Sequence, residues 1–399
     1  MTVSIFCLIL CGGKTKANKH DAPKAEKSVH PVMVKTEETK APESRVPQSC
    51  EVHTKSKRLP KSVQTSGNTR IPVQTTSGMK TNVKPSSSSN TREVVGERDN
   101  QRTWAMKLVN NSSVKQVYKE FANTLKGKKD MRSPDNPNNA KMRYANIPLM
   151  EATRIKLKNR PNDYIHANRV KVPNTSIEYI CTQAPLKNTI EDFWWMVLQE
   201  RSRFVIQLCQ DYFPANTSGV ETHGTIQIKN LGKGDSAGLP ASIRITELQL
   251  KSITNVFKPL IVFHIYMLDW PDQLAPPKAD DVVTLYQYLK KQQKDDKPII
   301  VHCSAGVGRT PTFVGIDYAC SLIANNPAQP MADVVKEMRT QREKSVQSAT
   351  QYCFLHVCLL ELFLRNKVIE KSEKLSAFKD DYAKVAEKFI RRNENKIVQ

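Results

Sequence analysis

One stretch limits the chain more than any other. A short apolar, β-branched run, Pro298-Ile299-Ile300-Val301, passes at His302 into Cys303-Ser304-Ala305-Gly306-Val307-Gly308-Arg309, and helical spacing begins just beyond. Such a run reads as a strand buried on both faces. Between Cys303 and Arg309 lie two glycines and no large side chain but Val307. A strand-to-helix loop this small can turn successive backbone N–H groups inward as an anion nest, to which the helix N-terminus adds its positive dipole end. A cysteine at the base of such a nest is expected to ionise near neutral pH. Arg309 brings a planar fork that binds two phosphate oxygens at once. Thiolate, amide cradle and guanidinium together suit phosphoryl transfer to sulfur, with the cradle stabilising charge on the equatorial oxygens.

Composition divides the rest. From about residue 12 to residue 100 the chain is rich in Lys, Ser, Thr and Pro, lacks Phe, Tyr and Trp, and includes the low-complexity stretch Lys84-Pro85-Ser86-Ser87-Ser88-Ser89-Asn90. Such a segment buries too little apolar surface to offset its ordering entropy. Residues 1–102 are therefore expected to be a disordered basic tail, 103–366 one large α/β domain, and 367–399 a charged amphipathic helix. In that helix Leu375, Phe378, Tyr382, Val385, Ala386 and Phe389 recur at helical spacing. It is expected to pack on its own domain, with partner binding as the alternative.

The net charge is +22, of which +14 falls on residues 101–399, and it suits acidic partners such as phosphopeptides or anionic lipid surfaces. No nucleic-acid-binding motif accompanies the charge, so no nucleic acid partner is expected. Nine cysteines with no Cys-x-x-Cys pair suggest neither a disulfide framework nor a zinc site, but a reducing, cytoplasmic compartment. No metal cluster is apparent, and the chemistry needs no cofactor. The apolar run at residues 3–11 is shorter than the ~20 residues that span a bilayer, and no Lys or Arg precedes it as in a signal peptide. Secretion, with this run as the core of a signal peptide, and membrane association through the basic tail or through acylation of Cys7 and Cys11 are the alternatives to no targeting role.

Spacing predicts a first helix on Val114, Val117, Tyr118, Phe121 and Leu125, capped by Ser112 or Ser113. Alternating segments predict strands over 177–182, 204–209, 225–228, 242–250 and 260–267. Helices are expected over 279–291, 312–324 and 332–342. Another starts at Ser348 or Thr350 and carries Tyr352, Leu355, Leu359, Leu362 and Phe363 on one face.

Residues 302–310 resemble the phosphate-binding loop of the tyrosine-specific protein tyrosine phosphatases, and three further motifs resemble that family's. Trp270-Pro271-Asp272, followed by Pro276 and Pro277, is similar to the mobile acid loop. The resemblance implies that Asp272 protonates the leaving tyrosyl oxygen and then deprotonates the water that attacks the phosphocysteine, a role worth ~10² to 10⁴ in rate. Gln347-Ser348-Ala349-Thr350-Gln351-Tyr352 resembles the glutamine loop, which implies that Gln351 and Gln347 place that water. Met142-Arg143-Tyr144-Ala145-Asn146-Ile147-Pro148 resembles the substrate-recognition loop, with Tyr144 stacking on the phosphotyrosine ring and setting a cleft too deep for phosphoserine. Asp163-Tyr164-Ile165-His166-Ala167, Cys181-Thr182-Gln183-Ala184-Pro185-Leu186 and Asp192-Phe193-Trp194 resemble scaffold stretches.

The implied fold is α/β, a highly twisted mixed sheet flanked by helices, and the implied protein is a divergent cytoplasmic, non-receptor member. The implied partner is a phosphotyrosine-containing protein, hydrolysed through a phosphorylated Cys303. Ser304, Ala305, Gly306, Val307, Gly308 and Arg309 would hold the phosphate, Thr310 would stabilise the leaving thiolate, and His302 would help fix Cys303. Tyr144, Asn146 and Trp270 would meet the substrate.

The chain also departs from the family pattern. The loop after Phe204-Val205-Ile206-Gln207-Leu208 is short and lacks the usual Glu that pairs with the catalytic Arg, leaving Asp211 as a stand-in. Asn146 replaces an Asp, Met142 an Asn, Leu274 a Gly and Pro311 a Gly. An active tyrosine phosphatase is the expected reading. The alternatives are a phosphotyrosine-binding pseudophosphatase and a dual-specificity or lipid phosphatase.

Overall fold

The computed structural model describes residues 88–125, 137–209 and 219–397. Residues 3–11 with Cys7 and Cys11, most of the basic tail, and Asp211 lie outside them. Two helices come first, α1 (Ser88–Asn111) and α2 (Val114–Thr124). Next come β1 (Arg154–Lys156), β2 (Tyr164–Lys171), β3 (Glu178–Gln183), α3 (Ile190–Glu200) and β4 (Phe204–Gln207). β5 (Val220–His223), β6 (Ile226–Lys233), β7 (Ile243–Ser252), β8 (Leu260–Met267), α4 (Asp280–Gln292) and β9 (Ile299–Cys303) complete the sheet and its first covering helices. α5 (Arg309–Asn325), α6 (Met331–Gln341), α7 (Ala349–Arg365) and α8 (Glu373–Ile397) close the chain.

The strands form one mixed sheet in the order β1-β2-β3-β9-β4-β8-β7-β6-β5. β3, β9, β4 and β8 pair in parallel, and the outer pairs are antiparallel. This is the expected α/β architecture, a twisted mixed sheet with helices on its faces. β9 shows why its sequence is an unbroken apolar run. Ile299 and Val301 enter the core shared with α4 to α8, while Ile300 enters the other core, beside Phe193 and Trp194 of α3. α3 is apolar almost all round for the same reason, and Arg201 in left-handed conformation ends it.

Three expectations change. α1 begins at Ser88, upstream of Thr103. It has no broad apolar stripe; Trp104 and Ala105 are buried, and Asn100 and Arg102 donate to the carbonyls of Ala324 and Val368. α7 is buried from Thr350 to Phe363 rather than along one face, because α1, α2, α4, α5 and α8 all pack on it. α5 starts at Arg309 itself, with Pro311 in the first turn, where a missing N–H costs little. Elsewhere the spacing holds. Ser113 caps α2 in a capping box with Gln116, Ser348 caps α7, and α8 buries Leu375, Phe378, Tyr382 and Ala386.

Three buried imidazoles, His166, His302 and His356, are held neutral. Burial first of all pushes His166 and His302 down to about 3 and His356 to about 4. In the unfolded chain each titrates near its ordinary value of ~6.5, so below that pH the unfolded state binds more protons. Stability is then complete above pH ~6.5 and falls as the pH drops toward 3, by about 2 kcal/mol per histidine at pH 5. Chemical denaturation at pH 7 and pH 5 is expected to show this loss, and substitution of His356 by Gln is expected to remove a part of its pH dependence.

Candidate active site

The nucleophile loop leaves β9 at Cys303 and enters α5 at Arg309. Two glycines shape it. Gly306 has φ +71°, and a Cβ there would lie 2.2 Å from the Thr182 carbonyl oxygen. A Cβ on Gly308 would lie 2.9 Å from Gln351 Nε2 and 3.1 Å from Gln347 Oε1, so this glycine leaves room for both amides. The Gly306 N–H donates to Cys303 Sγ at 3.2 Å. Cys303 is 3% exposed, at the bottom of the loop. Val307 and Thr310 are fully buried, and the Thr310 hydroxyl meets no partner among the described residues.

The loop is held from behind by Arg342. Its guanidinium donates to the carbonyls of Gly306 (3.2 Å) and Ala305 (3.0 Å), to Asn168 Oδ1 (2.8 Å) and to His166 Nδ1 (3.1 Å). These bonds turn two loop carbonyls away from the cleft, which is what an inward-facing row of amides requires. Burial lowers Arg342 to about 10, so it remains a cation at neutral pH. Because His166 Nδ1 accepts from Arg342, its Nε2–H donates to the Ile147 carbonyl at 3.0 Å. One buried network therefore joins the nucleophile loop to the segment carrying Tyr144 and Asn146. His302 is fully buried, edge-on to Phe193, with Cys209 Sγ 3.9 Å from its Nδ1, while its carbonyl accepts the Leu208 N–H. The nearby His264 adds to burial in keeping it neutral.

The other walls converge on the same point. Arg309, 5% exposed, donates to the Trp270 carbonyl at 3.1 Å and to Asp272 Oδ1 at 2.6 Å. Asp272 is thus the carboxylate that meets Arg309 among the described residues, and Asp211, the stand-in expected from the sequence, lies outside them. Trp270 is buried edge-on against Phe354 of α7, with its indole N–H on the Leu274 carbonyl. Ser348 Oγ donates to the Gln273 carbonyl at 3.1 Å and Gln351 Nε2 to that of Leu274 at 3.4 Å, which joins the acid loop to the glutamine loop. Gln351 Oε1 accepts the Gln347 N–H. Tyr144, 41% exposed, shares a 2.8 Å hydrogen bond with Ser304 Oγ. Its loop is fastened to β3 through Arg143, whose backbone N–H donates to Gln183 Oε1 and whose guanidinium donates to the carbonyls of Ala184 and Pro185. The Asn146 carbonyl accepts Lys344 Nζ at 2.6 Å.

The four motifs read from sequence therefore meet in one cleft. The sequence reading missed Arg342, and it treated His166 as scaffold only. Arg342 follows the α6 pattern with nothing local to set it apart; only its burial does. Among the described residues no group of three or more His, Cys, Asp or Glu is placed to hold a metal ion.

The family model for protein-tyrosine phosphatase matches residues 138–361, more than half of the chain, and the chain belongs to that family. It is 33% identical over 248 residues to human Receptor-type tyrosine-protein phosphatase eta, covering 58% of this chain and 18% of the relative. It is 28% identical over 265 residues to human Tyrosine-protein phosphatase non-receptor type 9, covering 59% of this chain and 44% of the relative. It is 29% identical over 303 residues to rat Phosphatidylinositol phosphatase PTPRQ, covering 69% of this chain and 13% of the relative. The chain thus spans less than half the length of these relatives. No helix among the described residues is long and apolar enough to cross a membrane.

Proposed function

We propose that the chain is a protein tyrosine phosphatase that hydrolyses phosphotyrosine in proteins through a cysteinyl-phosphate intermediate. The observation that carries this reading is the convergence of the Cys303 loop, the Arg309 fork and Asp272 within one cleft. The phosphate sits in the amides of residues 304–308, gripped by Arg309, with Tyr144 against the aromatic ring. Cys303 Sγ attacks phosphorus while Asp272 gives its proton to the tyrosyl oxygen, and sulfur leaves later when water attacks. Asp272 takes the proton of that water, Gln351 and Gln347 place it, and the Thr310 hydroxyl donates to the departing sulfur. His302 and Trp270 hold Cys303 and the acid loop from behind. The Arg309–Asp272 ion pair favours a second reading, a domain that binds phosphotyrosine with little turnover, since phosphate must compete with the carboxylate for the guanidinium. The free Cys181, Cys209, Cys320, Cys353 and Cys358 support a reducing, cytoplasmic site of action.

Release of phosphate from phosphotyrosyl peptide, phosphoseryl peptide and a phosphoinositide tests the reading. Turnover of the first alone supports it. Binding of phosphotyrosyl peptide without release supports the second reading, and preference for the lipid overturns both. Tyr144→Ala is expected to lower kcat/KM on phosphotyrosyl peptide by about 2- to 10-fold, mainly through KM, the worth of an aromatic stack.

A further inference from the structure

The segment carrying Asp272 is held at both ends. At the cleft, Arg309 bonds the Trp270 carbonyl and the Asp272 carboxylate. Beyond Leu274 the chain runs through Ala275, Pro276 and Pro277, the first two buried. No strand or helix pairs the Pro276 carbonyl; it accepts the phenol O–H of Tyr382 at 2.8 Å. Tyr382 comes from α8, is fully buried, and stacks on Phe354 at 5.8 Å between ring centroids. Phe354 in turn meets Trp270 edge-on at 5.4 Å. Tyr382 therefore touches the acid loop directly at Pro276 and, through Phe354, at Trp270. Lys379, one turn earlier, pairs with Glu361 of α7 and clasps α8 in this position.

We propose that Tyr382 is a positioning residue for the acid loop, so that the C-terminal helix helps set Asp272 in its proton-donating place. This rests on the phosphatase reading above. A buried carbonyl left without its donor is costly, and the loop escapes that cost only by shifting the carbonyl toward water. Such a shift draws Trp270 and Asp272 from the leaving oxygen while Cys303, Arg309 and the amide cradle stay in place. The loss then falls on the step that needs the Asp272 proton.

The test is steady-state kinetics of the whole chain on two substrates. One is a phosphotyrosyl peptide, whose leaving oxygen needs a proton. The other is the phosphate ester of a fluorinated phenol acidic enough to depart without one. Tyr382→Phe is expected to lower kcat/KM on the peptide by about 3- to 10-fold, the loss of one hydrogen bond, and to change the ester by less than about 2-fold. Lys379→Met, at a partly exposed site that tolerates replacement, is expected to show the same split with smaller size; it carries the test if Tyr382→Phe does not fold. Neither change is expected to add to Asp272→Asn. Equal losses on both substrates, no loss, or a loss that persists beside Asp272→Asn overturns the proposal. If Asp272→Asn itself fails to separate the two substrates, the phosphatase reading has failed and the proposal falls with it.

Discussion

Cys303→Ser is expected to remove phosphotyrosyl-peptide turnover, by more than about 10³-fold, while the folded domain still binds the peptide. Serine keeps the side-chain volume and one polar atom at the bottom of the loop, so the Gly306 N–H retains a partner. What it loses is the sulfur nucleophile that faces the inward amides and the guanidinium; an alcohol in that place is a poor attacker without a base beside it. Thermal melts should show the variant folded. Calorimetry with the peptide should show affinity equal to or better than that of the parent chain. A variant that retains a tenth of the parent turnover would remove Cys303 from the mechanism.

Asp272→Asn is expected to lower kcat/KM on phosphotyrosyl peptide by ~10² to 10⁴. The amide preserves shape and can still accept from Arg309, but it has no proton of the right acidity to give. The loss should shrink when the leaving phenol becomes more acidic. The substitution also removes the charge paired with Arg309 at 2.6 Å, which frees the guanidinium for phosphate. KM should therefore fall while the chemical step slows. An unchanged KM would mean that the ion pair does not compete with substrate.

How much of this was legible in the chain depends on how each residue is held. The strand, loop and helix around Cys303 announce themselves through local pattern, because β9 is buried on both faces and the loop is small. β8 was bounded correctly for a similar reason, since its apolar segment runs the length of the strand. α1 was not legible, because side chains bonded to distant carbonyls hold it, and such bonds leave no periodicity. The α7 sequence reads as amphipathic because surface helices usually are; its encirclement by five other helices, α1, α2, α4, α5 and α8, is a tertiary fact. Arg342 shows the limit best. It is a cation deep behind a phosphate-binding loop, and only the three-dimensional structure shows that its donors fasten the two carbonyls that must face away. The pairing of Arg309 with Asp272 joins two segments far apart in sequence, and no local pattern announces it.

The strand order has a consequence for how the protein forms. β9 lies between β3 and β4, yet the chain makes it after both and after β5 to β8. Until Ile299–Cys303 arrives, β3 and β4 each present an open hydrogen-bonding edge and cannot complete the sheet. A ribosome that has not yet delivered β9 therefore carries a split sheet with exposed edges, the form most prone to pair with another chain. Closing it requires a long loop, which slows folding. The segment that carries the nucleophile is thus also the wedge whose insertion joins the two halves. Core substitutions in β9 should slow refolding as well as lower stability, whereas those at Ile226 and Ile228 of β6, next to the far edge, should mainly speed unfolding.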